Sequence, residues 1–262
     1  MIKGINGKPY FKLDQHLDIE GWKKLHPEIC KGLVLSKHKK EGNLYVCAGA
    51  EISPHYGFRK FIYYAIQEYN ALPIDHPIKI QGESLGGLDG NRDQFIQYLK
   101  LVMGAYDSYQ FIFLKTEQGG WESRFDEKAW TPDIEHFPNL KIWLEQLVEK
   151  NVFTHLGRII FFKQEHDTVP GIHRDVYQGT ANDYPPHRNE FIHLTPDANK
   201  GMLLWDPETN KNLYLESRAS WWNDNDWHGA SPSPMQTYSL RVDGRFTKEF
   251  REKLGIDHLE NY

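Results

Sequence analysis

Four residues of this chain have the types and spacing to hold a reactive metal and an anion beside it. His173 and Asp175 lie two apart in Val169-Pro170-Gly171-Ile172-His173-Arg174-Asp175-Val176-Tyr177. His228 follows in Trp227-His228-Gly229-Ala230, and Arg241 stands thirteen residues beyond it in Tyr238-Ser239-Leu240-Arg241-Val242-Asp243. Two imidazoles and one carboxylate occupy one face of an octahedral ion and leave three positions open, the ligand set suited to Fe(II) that activates oxygen. In an extended strand, residues i and i+2 project to the same side, so His173 and Asp175 can grip one ion. The guanidinium of Arg241 can hold a carboxylate through a planar, bidentate pair.

A histidine and an aspartate two apart are common by chance, so the surroundings decide. His16-Leu17-Asp18 has the same spacing, but it lies in a polar N-terminal stretch with no strand pattern around it. His173 instead follows the apolar run Leu156-Gly157-Arg158-Ile159-Ile160-Phe161-Phe162 and precedes further strand-like segments. Strands are expected at 158–163, 171–177, 190–196, 201–206, 211–217, 219–223 and 237–243, with Asp206-Pro207-Glu208-Thr209-Asn210 as a turn between two of them. This rhythm of short strands points to a barrel or sandwich. Helical periodicity dominates earlier, over 58–70, 91–103 and 139–150, with a strand over 109–115. The texture changes near residue 150. The expected organisation is one domain over 1–262: a helical and mixed elaboration over 1–150, a β core over 151–248, and a C-terminal helix or tail over 249–262.

Composition narrows the setting. The net charge of −5 argues against nucleic acid as a main partner. Cys30 and Cys47 do not make a disulfide framework. The N-terminal stretch lacks an apolar signal core and no apolar run spans a bilayer, so a cytoplasmic protein without membrane contact is expected.

The order His-x-Asp, distant His, then Arg resembles the Fe(II)/2-oxoglutarate-dependent oxygenases, and within them the aspartyl/asparaginyl β-hydroxylase and cis-proline hydroxylase branch. The similar stretch runs over about 156–246. The resemblance implies a double-stranded β-helix, a jelly-roll, cupin-like barrel, here buttressed by the N-terminal helices. It implies His173, Asp175 and His228 as iron ligands, and Arg241 as partner of the far carboxylate of 2-oxoglutarate. It implies Fe(II), 2-oxoglutarate and O2 as cofactor and cosubstrates, and a hydroxylase acting on an amino acid, an amino-acid derivative or a protein side chain. At Phe191-Ile192-His193-Leu194 the chain departs from the branch, which carries arginine where Phe191 stands.

Other residues have two readings each. Ser239 shares a strand face with Arg241 by parity and either donates to the same carboxylate or bonds backbone. Asp243 either orients Arg241 or opens an Asp243-Gly244 turn, and the turn is the expectation. His193 either touches cosubstrate or lines the barrel, with lining the stronger reading. Trp221, Trp222 and Trp227 flank the approach to His228, mostly as packing, with Trp222 the candidate substrate contact. Arg188, in the polar segment after the His-x-Asp strand, either meets a substrate carboxylate or is a solvated loop residue. The alternatives to a hydroxylase are a cupin-like protein that binds a metal or small ligand without turnover, and a cupin metalloenzyme that does not use 2-oxoglutarate.

Overall fold

The computed structural model describes residues 1–36, 39–41, 50–52, 69–86, 109–116, 122–164, 173–175, 189–197, 201–231 and 237–257, and structural statements here concern those. The expected helix over 91–103, all but the end of the one over 58–70, Arg188 and Cys47 lie outside them.

Mixed helix and antiparallel sheet make up the structure. Twelve strands are described: β1 (Tyr10–Lys12), β2 (Lys39–Glu41), β3 (Ala50–Ile52), β4 (Tyr109–Lys115), β5 (Phe153–Gln164), β6 (His173–Asp175), β7 (Phe191–Leu194), β8 (Met202–Asp206), β9 (Lys211–Tyr214), β10 (Ala219–Trp222), β11 (His228–Ala230) and β12 (Thr237–Phe246). Five α-helices accompany them: α1 (Ile19–Lys24), α2 (His26–Leu35), α3 (Pro77–Ser84), α4 (Pro138–Glu149) and α5 (Lys248–Leu254). A seven-stranded sheet runs β1-β10-β7-β12-β5-β4-β2 and a five-stranded sheet runs β3-β6-β11-β8-β9. From β5 onward the chain passes between the sheets: β5, β7, β10 and β12 belong to the larger, and β6, β8, β9 and β11 to the smaller. None of the described helices is long and apolar enough to cross a membrane.

Strand parity explains the layering. On β12, Tyr238, Leu240 and Val242 alternate with Ser239, Arg241 and Asp243, and all six are buried. The apolar set continues across the sheet, with Leu240 beside Phe161 and Leu194, and Val242 beside Ile159 and Ile192. That face is covered by helices: Tyr238 meets Trp22 of α1 at 6.4 Å and His26 of α2 at 5.7 Å between ring centroids, and Phe161 stacks on Phe137 at 5.5 Å. Trp143, Leu144 and Leu147 of α4 are buried in the same cluster. Burying both faces of a sheet requires such a covering layer, because an apolar strand face left in water forfeits about 25 cal/mol per Å². The helix that covers it is itself capped from a neighbour: the Glu28 carboxylate on α2 accepts the backbone N–H groups of Asn139 (3.2 Å) and Leu140 (2.8 Å) at the start of α4.

One expectation changes here. Asp243-Gly244 is not a turn; β12 runs through it to Phe246, paired with β5 on one side and β7 on the other. The glycine serves a close approach instead, since a Cβ on Gly244 would collide with the Phe153 ring and the His155 carbonyl, at an irregularity in the β5–β12 register. The decoy His16-Leu17-Asp18 is a helix start: Asp18 caps α1 by accepting the Gly21 N–H at 2.8 Å. The C-terminal segment begins with α5, capped by Thr247 and ended by Gly255 in the left-handed region.

Candidate active site

The polar face of β12 carries Ser239, Arg241 and Asp243. Arg241 sits in register with His193 of β7 on one side and Ile160 of β5 on the other, and His193 in turn sits opposite Ser220 of β10. In the smaller sheet, β11 places His228 directly across from His173 of β6 and from Leu204 of β8. Antiparallel partners share a face, so the register puts the backbone of the His-x-Asp strand beside His228. The His173 side chain lies outside the described residues, and the described side chains alone make no group of three metal-binding residues.

Trp222 joins the two sheets. Its ring lies 5.1 Å from His193, 5.0 Å from Phe191 and 5.5 Å from His228. It is buried, and among the described residues its indole N–H finds no hydrogen-bond acceptor. A buried donor of this kind is rare in native interiors and points to a ligand. Trp221, one residue earlier and therefore on the opposite face, packs between Phe11 and Phe246 and donates its indole N–H to the Asn189 carbonyl at 2.9 Å. Trp227 packs on Trp205 at 5.9 Å. Two of the three tryptophans are thus packing residues, as expected, and the third faces the site. Ser239 is buried on the face of Arg241, opposite Phe162.

Arg241 points between the sheets, and its guanidinium is held on every edge. Nε donates to Asp243 Oδ1 at 2.7 Å, Nη1 to Asp175 Oδ2 at 3.0 Å, and Nη2 to Asp224 Oδ2 at 2.9 Å. Its plane lies over the Phe191 ring, 3.8 Å from the centroid. The phenylalanine that departs from the branch pattern is therefore a cation–π floor for this arginine. Asp243, expected to open a turn, orients Arg241 instead and also accepts Arg158 Nε at 2.9 Å. Asp224 is the second hub. Its Oδ2 also accepts Arg124 Nη2 at 2.7 Å, its Oδ1 accepts Asn189 Nδ2 at 2.7 Å, and its backbone carbonyl accepts the Asp175 N–H at 2.8 Å.

Among the described residues the network is balanced. Arg124, Arg158 and Arg241 face Asp175, Asp224 and Asp243, three charges of each sign. Balance matters because these groups are almost fully out of water, where an uncompensated charge costs several kcal/mol even after relaxation (roughly, per ion). Burial alone pushes the Asp243 carboxyl up, but Arg241, Arg158 and Arg124 outweigh it and hold Asp243 below the usual carboxylate range. For Asp224 burial wins over Arg124 and Arg241, helped by the neighbouring Asp175, and its carboxyl is pushed up. Burial and the like charge of Arg241 lower Arg124 to about 10. Burial also works against Arg241, but Asp243, Asp224 and Asp175 overcome it and raise it above the ordinary arginine value.

His228 has one ring nitrogen settled. Its Nδ1 lies 2.8 Å from the Asp226 backbone carbonyl, which can only accept, so Nδ1 carries a proton and, in the neutral ring, the lone pair is on Nε2. That is the tautomer a metal-binding histidine needs, with the carbonyl as its orienting partner. An imidazole nitrogen and a carboxylate such as that of Asp175 are donors of the kind a hard-to-borderline divalent ion takes.

Sequence reasoning missed Arg124, Arg158, Asp224, Asn189 and Asp226. The only local signal was Asn223-Asp224-Asn225-Asp226, a polar run wedged between Trp222 and Trp227 immediately ahead of His228. Polar residues enclosed by large aromatics are buried and must be paired. Nothing near Arg124 marks it.

No protein-family model matches the chain. No curated protein matches it either. Among solved structures it is similar to a prolyl hydroxylase in complex with a hypoxia inducible factor oxygen degradation domain peptide fragment from Trichoplax adhaerens. The identity there is 12%, covering 74% of this chain and 96% of that one, with a TM-score of 0.29. It is also similar to an oxidoreductase of the 2OG-Fe(II) oxygenase family from Burkholderia pseudomallei, at 12% identity over 78% of this chain and 90% of that one, with a TM-score of 0.31. Likeness at this level carries no argument about activity.

Proposed function

We propose that this protein is a non-haem Fe(II) and 2-oxoglutarate-dependent dioxygenase that hydroxylates an amino acid, an amino-acid derivative or a protein side chain, releasing succinate and CO2. The observation that carries the reading is that Asp175 and Arg241, far apart in sequence, meet at 3.0 Å on the side of the sheets where Trp222 touches the His228 ring. The passage of β5 to β12 between two antiparallel sheets supports a double-stranded β-helix as the frame.

His173, Asp175 and His228 would hold Fe(II), which supplies oxygen activation when bound with 2-oxoglutarate. The chain's own residues then have defined tasks. The Asp226 carbonyl accepts from Nδ1 of His228, so the neutral ring presents Nε2 as its lone-pair nitrogen. Asp243 and Phe191 hold the Arg241 guanidinium in place from its Nε edge and its face, while Nη1 and Nη2, which donate to Asp175 and Asp224, form the edge that a 2-oxoglutarate carboxylate would have to share. Trp222, His193 and Phe191 are buried and pack ring against ring beside Arg241, a low-dielectric surrounding that strengthens each charge contact. The indole N–H of Trp222 is a donor for bound cosubstrate or substrate.

A specific observation favours a second reading, a cupin-like protein that binds without turnover: all three edges of Arg241 are already satisfied by the protein's own carboxylates. One assay separates the two. Purified protein with Fe(II), 2-oxoglutarate and O2, screened against amino acids and peptides, should form succinate and show stimulation by the true substrate. Absence of succinate above a metal-free control, in protein that binds Fe(II), would leave the binding module standing.

A further inference from the structure

We propose that Asp226 is a positioning residue for His228, clamped by the N-terminal turn that carries Lys3 and Gly4; this rests on the reading of His228 as a metal ligand. Asp226 reaches in two directions. Its carboxylate accepts two consecutive backbone N–H groups, Lys3 onto Oδ1 at 2.8 Å and Gly4 onto Oδ2 at 2.7 Å, across 223 and 222 positions of sequence. Its backbone carbonyl accepts His228 Nδ1–H at 2.8 Å, and its own N–H donates to the Asn223 carbonyl at 2.8 Å. Side chain and backbone are therefore both tied, and the carbonyl beneath the imidazole cannot turn away without breaking the clamp.

The N-terminal side is built to deliver those two N–H groups. Ile5 and Lys8 close a small turn by exchanging backbone bonds of 2.8 and 3.0 Å, with Asn6 and Gly7 at φ 49° and 74°. Ile5 is 1% exposed and anchors the turn in the main core. Gly4 sits at φ 66°, and a Cβ there would collide with the Lys8 carbonyl, so the position needs glycine. The Asp226 side chain is 4% exposed. A buried carboxylate is costly unless it is hydrogen-bonded, and here the bonds come from the far end of the sequence. The outcome at the far end is one imidazole tautomer in one orientation, which is what an outer partner of a metal-bound histidine contributes.

The test is titration of the full-length chain with Co(II), followed by its visible absorption, with the thermal midpoint of the metal-free protein measured beside it. Asp226→Asn turns an amide N–H against one of the two backbone N–H groups. It should weaken Co(II) binding about 10- to 100-fold, the usual effect of removing such an outer partner. Gly4→Ala disturbs the clamp from its other end and should shift Co(II) affinity in the same direction, which keeps the test alive if the Asp226 variant does not fold. His228→Ala is the reference and should lose more than either. A purely structural role would lower the thermal midpoint and leave Co(II) affinity alone. Wild-type Co(II) affinity and absorption in folded Asp226→Asn or Gly4→Ala, with binding lost in His228→Ala, overturns the inference and leaves the ligand set intact. Unchanged Co(II) binding in His228→Ala overturns both.

Discussion

Replacing Arg241 tests the centre of the structure most severely. Arg241→Met keeps much of the apolar stem but removes the cation that touches Asp175, Asp224 and Asp243. Three cations against three carboxylates become two against three, all in a region nearly closed to water. Summing three charge-assisted bonds at roughly 1.5–3 kcal/mol each would overshoot, because the bonds share one group and do not add. Breaking a buried pair from one side costs about 3–5 kcal/mol, and that is the expected loss of folding stability near neutral pH. For a chain of this size it corresponds to a fall in thermal midpoint of roughly 6–20 °C. Adding Asp224→Asn should recover part of the loss, because it removes the charge left over. In the enzyme assay, Arg241→Ala should raise the 2-oxoglutarate requirement by about 2–4 kcal/mol, roughly thirty- to a thousand-fold, and Arg241→Lys should rescue little since an ammonium has no planar fork. Urea unfolding and a 2-oxoglutarate titration of succinate formation measure the two effects separately. Wild-type stability in Arg241→Met would refute the buried network. A destabilised variant with unchanged 2-oxoglutarate dependence would make Arg241 purely structural.

His173→Ala, Asp175→Asn and His228→Ala should each abolish turnover and weaken Fe(II) binding while circular dichroism shows the fold kept; wild-type Fe(II) affinity in all three would sink the ligand assignment. Trp222→Phe keeps the ring contacts to His193, Phe191 and His228 but deletes the unpaired indole donor, so ligand affinity should fall about tenfold with the fold unchanged, as calorimetry would show. Arg188→Ala should reduce substrate-coupled turnover and spare uncoupled consumption of 2-oxoglutarate; loss of both would move Arg188 to the cosubstrate. Glu190 accepts Arg251 Nε at 2.7 Å and the Phe246 N–H at 2.9 Å, yet burial outweighs these and pushes its carboxyl up. A raised folded value means the folded state holds the proton more tightly, so this group's stability contribution falls as pH rises from the ordinary carboxylate value to the raised one. Glu190→Gln should flatten that slope in the difference between wild-type and variant stability curves, and parallel curves would refute it.

Much of the frame is legible in the sequence because it is written locally. Alternation on a strand is a two-residue property, so Ser239, Arg241 and Asp243 were bound to share a face once 237–243 was read as a strand. The strands around 158–163, 190–196 and 219–223 and the helix over 139–150 carry the same kind of local signal, and each appears within a few residues of its expected limits. The order His173, Asp175, His228, Arg241 is also local chemistry, each residue needing only its neighbours to be noticed. Where local signals misled, pairing on both sides prevailed: Asp243-Gly244 has turn composition, but β5 and β7 hold β12 straight through it. What only the tertiary structure decided are contacts between distant segments. Arg124 meets Asp224 across 100 positions, Asn189 meets it across 35, and Gly4 meets Asp226 across 222. No periodicity encodes such pairs. They form because the fold buries each group where solvation is lost and the nearest opposite charge or donor must replace water.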